Sequence, residues 1–288
     1  MSAKFGPAGN SDAFSAVHKS SLAAPQWIAE QGLDCYEYQC GKGVHVGEDT
    51  ARRVGENARK HGISLSLHAP YFINLANPDP DSLQKTIGYI TSACLVASQM
   101  GASRVVIHSG ALMKRTRREA LDTALRSLRE VIRTCDGQGF GHIALCPETM
   151  GKINQLGDLE EVLELCTLDE RLIPCIDFGH LYARSLGADD GAEAFGWMLD
   201  RVESVLGQSR ASVFHSHFSH IQFTPGGGEK CHRTFDDDDG YGPDWAPLAQ
   251  AIARRGWSPT FICESAGTQA KDALTMKRIY QEVLTAQG

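Results

Sequence analysis

The chain has 288 residues, 42% of them apolar and 22% charged, a composition that can fill a large buried core and is unlike that of a disordered segment. Its formal charge of −7 argues against indiscriminate nucleic-acid binding, yet that figure counts carboxylates that cations would neutralise: two bound divalent ions would bring it to −3 and three to −1. A polyanionic substrate is therefore not excluded.

Short apolar runs alternate with amphipathic stretches along nearly the whole length, as expected of parallel strands joined by crossover helices. In chain order the pairs are strand 4–6 with helix 22–31, strand 35–39 with helix 48–61, strand 64–68 with helix 82–100, and strand 104–108 with helix 117–134. The second half continues with strand 143–147 and helix 159–166, strand 173–177 and helix 192–206, strand 213–218 and helix 245–254, and strand 260–263 and helix 270–284. Eight such pairs predict a (β/α)8 TIM barrel, a fold that commonly occupies about 200 to 400 residues as one unit. No repeat at solenoid periods and no low-complexity linker interrupts the pattern, so residues 1–288 are read as a single domain. A doubly wound open sheet is the structural alternative.

No apolar run approaches the roughly 20 residues needed to cross a bilayer, and MSAKFGPAGNSD lacks the basic-then-apolar pattern of a secretory signal. Nine cysteines, an odd number without CxxC spacing, include Cys146, Cys175 and Cys263 inside strand-like runs, which suits reduced, buried thiols. A cytoplasmic location without a membrane is expected.

Six apolar runs end in a residue able to bind metal: SLSLH at His68, RVVIH at His108, HIALCPE at Glu148, IPCID at Asp177, SVFHSH at His217 and TFICE at Glu264. The carboxyl ends of parallel barrel strands converge on one mouth, so these residues can surround the same ions. Three imidazoles and three carboxylates suit zinc or manganese, with a carboxylate able to bridge two ions and a position left for water. His180 in CIDFGH points from the expected loop beyond its strand toward the same mouth, and His232 in GGGEKCHRTF can meet it there. His215 shares a strand face with His217 and reads as scaffold, whereas His220 is a candidate substrate contact.

Loops after the strands carry groups that bind phosphate or sugar. YFINLANP offers Tyr71, Phe72 and Asn74, and GKINQLG offers Lys152, Asn154 and Gln155. HSGALMKRTRREA places Lys114, Arg115, Arg117 and Arg118 at the expected start of a helix, where the dipole disfavours cations. Phosphate contact is the functional reading of that cluster, and a solvated surface run the plain one.

With LHAPYFINLA, VVIHSG, ETMGKINQLG, CIDFGHLYA and HSHFSHIQF in family order, the chain resembles the endonuclease IV family over essentially its whole length. Those enzymes are zinc-dependent and cut DNA at abasic sites. The resemblance implies one ion on His68, His108 and Glu148, a second on Glu148, Asp177, His217 and Glu264, and a third on His180 and His232. It implies Glu148 and Glu264 as catalytic residues and damaged double-stranded DNA as partner. Where the family's third-ion loop carries Asp, one residue, His, this chain reads Lys230, Cys231, His232. Glu229 shifted by one residue, the Cys231 thiolate or the Lys230 ammonium are the candidates to replace that aspartate. Tyr71, Asn74, Lys114, Arg115, Lys152, Asn154 and Lys230 are the expected substrate-binding residues.

Sugar isomerases and epimerases of the xylose isomerase-like superfamily are the competing class, since Glu148, Asp177, His217 and Glu264 form their Glu, Asp, His, Glu single-ion set. A binding protein that has lost turnover is a third reading. No protein partner is indicated, and a monomer is expected.

Overall fold

In the computed structural model, which describes residues 2–287, the predicted alternation folds into ten strands and eleven α-helices among the described residues. The first half contains β1 (Lys4–Pro7), α1 (Asp12–Val17), α2 (Ala24–Glu30), β2 (Cys35–Gln39), α3 (Glu48–His61), β3 (Ser64–His68), α4 (Pro80–Met100), β4 (Arg104–His108), α5 (Arg117–Gly137) and β5 (Ala144–Glu148). The second contains α6 (Leu159–Cys166), β6 (Cys175–Asp177), α7 (Phe178–Arg184), α8 (Gly191–Leu206), α9 (Gln208–Ala211), β7 (His215–Phe218), β8 (His220–Thr224), β9 (Gly228–Arg233), α10 (Trp245–Arg255), β10 (Thr260–Cys263) and α11 (Gln269–Gln287). Eight strands form one parallel sheet in the order β1–β10–β7–β6–β5–β4–β3–β2. Between its first and last members run the Ala8–Glu37 bridge and bonds from Gly9 N to Glu37 O and from Asp34 N to Phe5 O, so the cylinder is nearly closed.

Local signals explain the helix ends. Thr116 and Glu119 form a capping box at the start of α5, Asp158 and Glu161 form another at α6, and Asp79 caps α4. α3 and α4 stop at Gly62 and Gly101, both left-handed. The outward face of each strand packs on these helices: Phe5 stacks on Phe261, and the Trp245 ring meets both edge-on. Burying such rings dominates core energetics, each large side chain contributing about 1.5–3 kcal/mol.

The inward face is different in kind. Alternation along the strands turns Glu37, Ser66, His68, Val106, His108, Cys146, Glu148, Cys175, Asp177, His215, His217 and Ile262 into the bore. Its apolar members are few and small, and the buried polar residues of the protein concentrate there. A bore usually filled by branched apolar side chains is here largely polar.

Two expected loops are structured. No loop separates β6 from α7, so His180 stands in a helix's first turn, and the Gly-rich stretch after β7 is the antiparallel β8–β9 hairpin. Among the described residues no helix is long and apolar enough to cross a membrane.

Candidate metal centre

His68, His108, Glu148 and Asp177 are the last residues of β3, β4, β5 and β6, His217 is the penultimate residue of β7, and Glu264 follows β10 directly. Parallel pairing sets His108 beside Glu148 and Asp177 beside His217. Glu148 is the hub. Its Oε2 lies 3.3 Å from His68 Nε2 and 3.3 Å from His108 Nε2, and its Oε1 lies 2.8 Å from His217 Nδ1. Ligand atoms of Glu148, Asp177, His217 and Glu264 all fall within 4.8 Å of one another, as do those of His68, Glu148 and His217.

Most of the imidazoles are oriented by a second partner. His68 Nδ1–H donates to Ala69 O at 2.8 Å and His180 Nδ1–H to Thr149 O at 2.8 Å, which leaves each Nε2 facing the cluster. Ser219 Oγ engages His232 Nδ1 at 2.7 Å. Asp177 Oδ2, fully buried among these groups, has no hydrogen-bond partner. Buried carboxylates facing one another and an orphaned oxygen are expensive unless a cation sits between them. The donor set therefore fits divalent ions.

Electrostatics agree. Burial pushes the Asp177 carboxyl up, and Glu264 and Glu148 add to it despite His180. Burial also opposes ionisation of Glu148, but His217 and His68 outweigh it and hold that carboxyl well below its usual range. Burial lowers His108 to about 3, and against burial Asp177 and Glu229 raise His180 to about 9.

A second group forms over α7. Glu229 of β9 reaches within 3.6 Å of His180 Nε2, and His180, Glu229 and His232 bring ligand atoms within 4.8 Å of one another. A register shift between Gln222 and Phe223 turns Glu229 inward, while Cys231 bonds Gln222 and Lys230 points to solvent. Glu229, not Lys230, is thus the residue of this strand that faces His180. Gly151 makes room: a Cβ there would lie 2.7 Å from Glu229 Cβ and 2.9 Å from His180 Cδ2.

A carboxylate not anticipated from the sequence lies one layer below. Glu37 of β2, fully buried, accepts from His217 Nε2 at 2.9 Å, His215 Nε2 at 2.8 Å and Ser66 Oγ at 2.9 Å. The signal was available: Glu37 lies on the inward phase of CYEYQ, where a carboxylate needs partners. His215, expected as scaffold, is fully buried and is held by Glu37; burial lowers it to about 4.

The model of the Xylose isomerase-like TIM barrel family matches residues 25–282. The chain belongs to that family. It is 30% identical over 256 residues to an uncharacterized protein of Methanocaldococcus jannaschii, covering 89% of this chain and 90% of that one. A probable endonuclease 4 of Mycoplasma pneumoniae is 29% identical over 164 residues, 54% of each chain, so the match spans just over half of that relative. The solved structure of a D-tagatose 3-epimerase-like protein superimposes with a TM-score of 0.72 at 20% identity, covering 99% of each chain, a likeness of fold. The resemblance to endonuclease IV read from the motifs agrees with these sequence relatives, and the xylose isomerase-like barrel is common to both classes.

In this member of the xylose isomerase-like family, His68, Tyr71, His108, Glu148, Met150, Lys152, Gln155, His180, Glu229, His232 and Glu264 line one cavity of about 460 Å³. The Tyr71 ring, 52% exposed, stacks on His108 at 5.3 Å and forms the rim. Beyond it lies an open hollow of about 590 Å³ lined by Tyr38, Gln39, Lys42 and His45.

Several other candidates stand apart from this cavity. Asn74 Oδ1 accepts from Ala76 N and Ala111 N, bracing two loops, and the Arg115 guanidinium donates to Ala76 O and Thr123. Arg117 pairs with Glu161 at 2.7 Å and Arg118 with Glu164 at 2.9 Å, so much of the basic cluster is a set of ion pairs holding α5 on α6. Lys114 is exposed on a left-handed turn, and Asn154 borders a separate hollow with Lys152 and Glu229. His220 stacks on Phe235 at 4.7 Å, away from the cavity, which corrects its reading as a substrate contact.

Proposed function

We propose that the chain is a metal-dependent phosphodiester hydrolase of the endonuclease IV type that acts, as a monomer in the cytoplasm, on abasic sites in double-stranded DNA. The observation that carries this reading is the surplus of imidazoles. Glu148, Asp177, His217 and Glu264 suffice for one ion, whereas His68 and His108 beside Glu148 Oε2, and His180, Glu229 and His232 under the hairpin, offer donors for more. Zinc suits this mixture of nitrogen and oxygen donors, and manganese is the alternative. Such ions, when bound, supply an activated water and neutralise charge on the phosphodiester.

The protein's own groups account for orientation. Glu148 engages separate neighbours with its two oxygens, and Glu264, 14% exposed at its side chain against 1% for Glu148, is the more accessible of the two carboxylates that line the cavity beside His217. Lys152 on the rim attracts a phosphate, and the exposed Tyr71 face offers a stacking surface to a base or sugar displaced from the duplex. The hollow beyond Tyr71 leaves room for a substrate longer than one sugar.

The single-ion epimerase reading is favoured by one observation, the self-sufficient Glu148, Asp177, His217, Glu264 set in a fold shared with a D-tagatose 3-epimerase-like protein. Two measurements separate the readings. The hydrolase requires two or more ions per chain and incision of an abasic duplex well above that of Glu148→Gln. One ion per chain with no incision supports sugar chemistry, and affinity for abasic DNA without cleavage at saturating zinc supports a binding protein.

A further inference from the structure

We propose that Glu37 is a positioning residue for the metal centre, fixing His217 as its Nε2–H tautomer so that Nδ1 is presented to the ion. The proposal rests on the reading of the Glu148, Asp177, His217, Glu264 cluster as a metal site.

Glu37 sits in the middle of β2 on the inward face, one layer below the ring of ligands, with no exposed surface. Four donors converge on it. Oε1 receives His217 Nε2 at 2.9 Å and Gln39 Nε2 at 3.2 Å, and Oε2 receives His215 Nε2 at 2.8 Å and Ser66 Oγ at 2.9 Å. An imidazole that donates through one nitrogen can ligate only through the other. With Nε2–H given to Glu37, Nδ1 is the nitrogen left for the ion: in the metal-free protein it donates to Glu148 Oε1 at 2.8 Å and lies 3.5 Å from Glu264 Oε2, inside the carboxylate cluster, where an ion would take the place of its proton.

The other imidazoles at the mouth are held differently. His68 and His180 donate Nδ1–H to main-chain carbonyls, of Ala69 and Thr149, whereas His217 donates Nε2–H to a carboxylate. A carboxylate partner fixes ring orientation and makes the imidazole a stronger donor to metal. Glu37 is itself held from below. His215 presents Nδ1 to the Arg104 guanidinium at 3.5 Å, and Arg104 donates to Val213 O at 2.8 Å, so a polar chain runs from the far end of the bore through Arg104, His215, Glu37 and His217 to Glu148.

Scaffolding alone does not account for this arrangement. A branched apolar side chain fills a barrel layer without desolvating a charge, and replacing a buried ionic group by packed apolar residues is often neutral or stabilising. A carboxylate at this depth has its use in what it does to His217. Cys175 also lies near His215 and His217, but Glu37 already occupies both Nε2 atoms, which directs those nitrogens away from a separate cation in the bore.

The test compares zinc affinity, by competition with a chromogenic chelator, in the wild type and Glu37→Gln, with thermal unfolding of both metal-free proteins measured alongside. The expected result is an affinity lower by about 10- to 100-fold, the usual effect of losing such a partner. Affinity within twofold of wild type, with or without lost thermal stability, overturns the positioning role and leaves the metal reading standing. A wild type that takes up no zinc overturns both. Should Glu37→Gln fail to fold, 15N spectra of the zinc-loaded wild type decide: a His217 Nε2–H with metal-bound Nδ1 supports the proposal, and the opposite tautomer overturns it.

Discussion

Asp177 both caps and crowds the helix that carries His180. Its Oδ1 accepts the His180 backbone N–H at 2.8 Å, while Oδ2 lies 3.2 Å from His180 Nδ1 without bonding to it, because that nitrogen donates to Thr149 O. One oxygen thus serves α7, and the other points into the cluster. Asn is as good an N-cap as Asp, so Asp177→Asn keeps the first function and removes the second. In the metal-free protein the variant is expected to melt at the same temperature as wild type or higher, since it removes the cost of burying a charge and the repulsion from Glu264 and Glu148, which together outweigh the attraction of His180 and His217. The rise in melting temperature on adding zinc should shrink or vanish. A variant that loses stability in chelator yet keeps the full zinc-induced rise would show that Oδ2 has no ligand role.

pH separates the same groups. Burial works against a charged His180, but Asp177 and Glu229 overcome it and raise the imidazole from its ordinary 6.5 to about 9. A folded-state value above the unfolded one stabilises fully below about pH 6.5, and the contribution is lost as pH climbs through about 9. Glu148 and Glu37, held well below the carboxylate range, have the opposite sign and lose their contribution as the solution becomes strongly acid. Metal-free protein should therefore be most stable between these limits, with urea-unfolding free energy falling by a few kcal/mol at most from pH 6.5 to 9.5. Zinc affinity should move the other way over that interval, because the ion competes with the His180 proton. A zinc affinity that stays flat from pH 6.5 to 9.5 would remove His180 from the ligand set.

The barrel was legible because most of its strands contain or directly follow a short run rich in apolar residues, as in RVVIH, HIALCPE and TFICE, and the mouth was legible because its residues end those runs. What escaped was written in weaker signs. α7 follows Asp177 without a break, so DFGH carries no separate helix signal beyond its N-cap. The β8–β9 hairpin is flagged only by TPGGGE between HIQFT and EKCHR, and its register shift, which turns Glu229 rather than Lys230 inward, is a tertiary matter. Glu37 was hidden by a rule of thumb: a charge inside a strand is read as solvent-facing unless its partners are known, and these arrive from β3 and β7, 29 and 178 residues away.

Glu229 offers a sharper contrast. If it replaces the family aspartate, Glu229→Gln should lower the zinc content of the purified protein by about one ion per chain, and Lys230→Ala, on the exposed side of the same strand, should leave it unchanged. Elemental analysis after dialysis against buffered zinc reads both. Equal metal content in Glu229→Gln and wild type would mean that His180 and His232 hold no ion, and the surplus-imidazole argument for a hydrolase would lose its second half.

Tyr71 tests the substrate side without touching the ligands. Its ring rests against His108 and His68, and Gly41 lies directly beneath it, where a Cβ would overlap the ring; Tyr71 N also donates to Gly41 O at 3.0 Å. Gly41→Ala must therefore displace the ring, and Tyr71→Ala deletes it. Both should retain the zinc content of wild type, because none of the metal-holding atoms moves with Tyr71. Both should raise KM for an abasic duplex by about 10- to 100-fold, the range expected when one base-stacking contact worth about 1–3 kcal/mol is lost. Tyr71→Phe should behave as wild type if stacking is what matters. A short sugar substrate bound at the ions would not reach as far as the hollow beyond the rim, so KM changes for DNA with Tyr71→Phe silent would bear on the choice between the two reaction classes as well. If Tyr71→Ala incises an abasic duplex with unaltered KM, the rim has no part in substrate binding, and DNA must approach the cavity from the side of Lys152 and the β8–β9 hairpin.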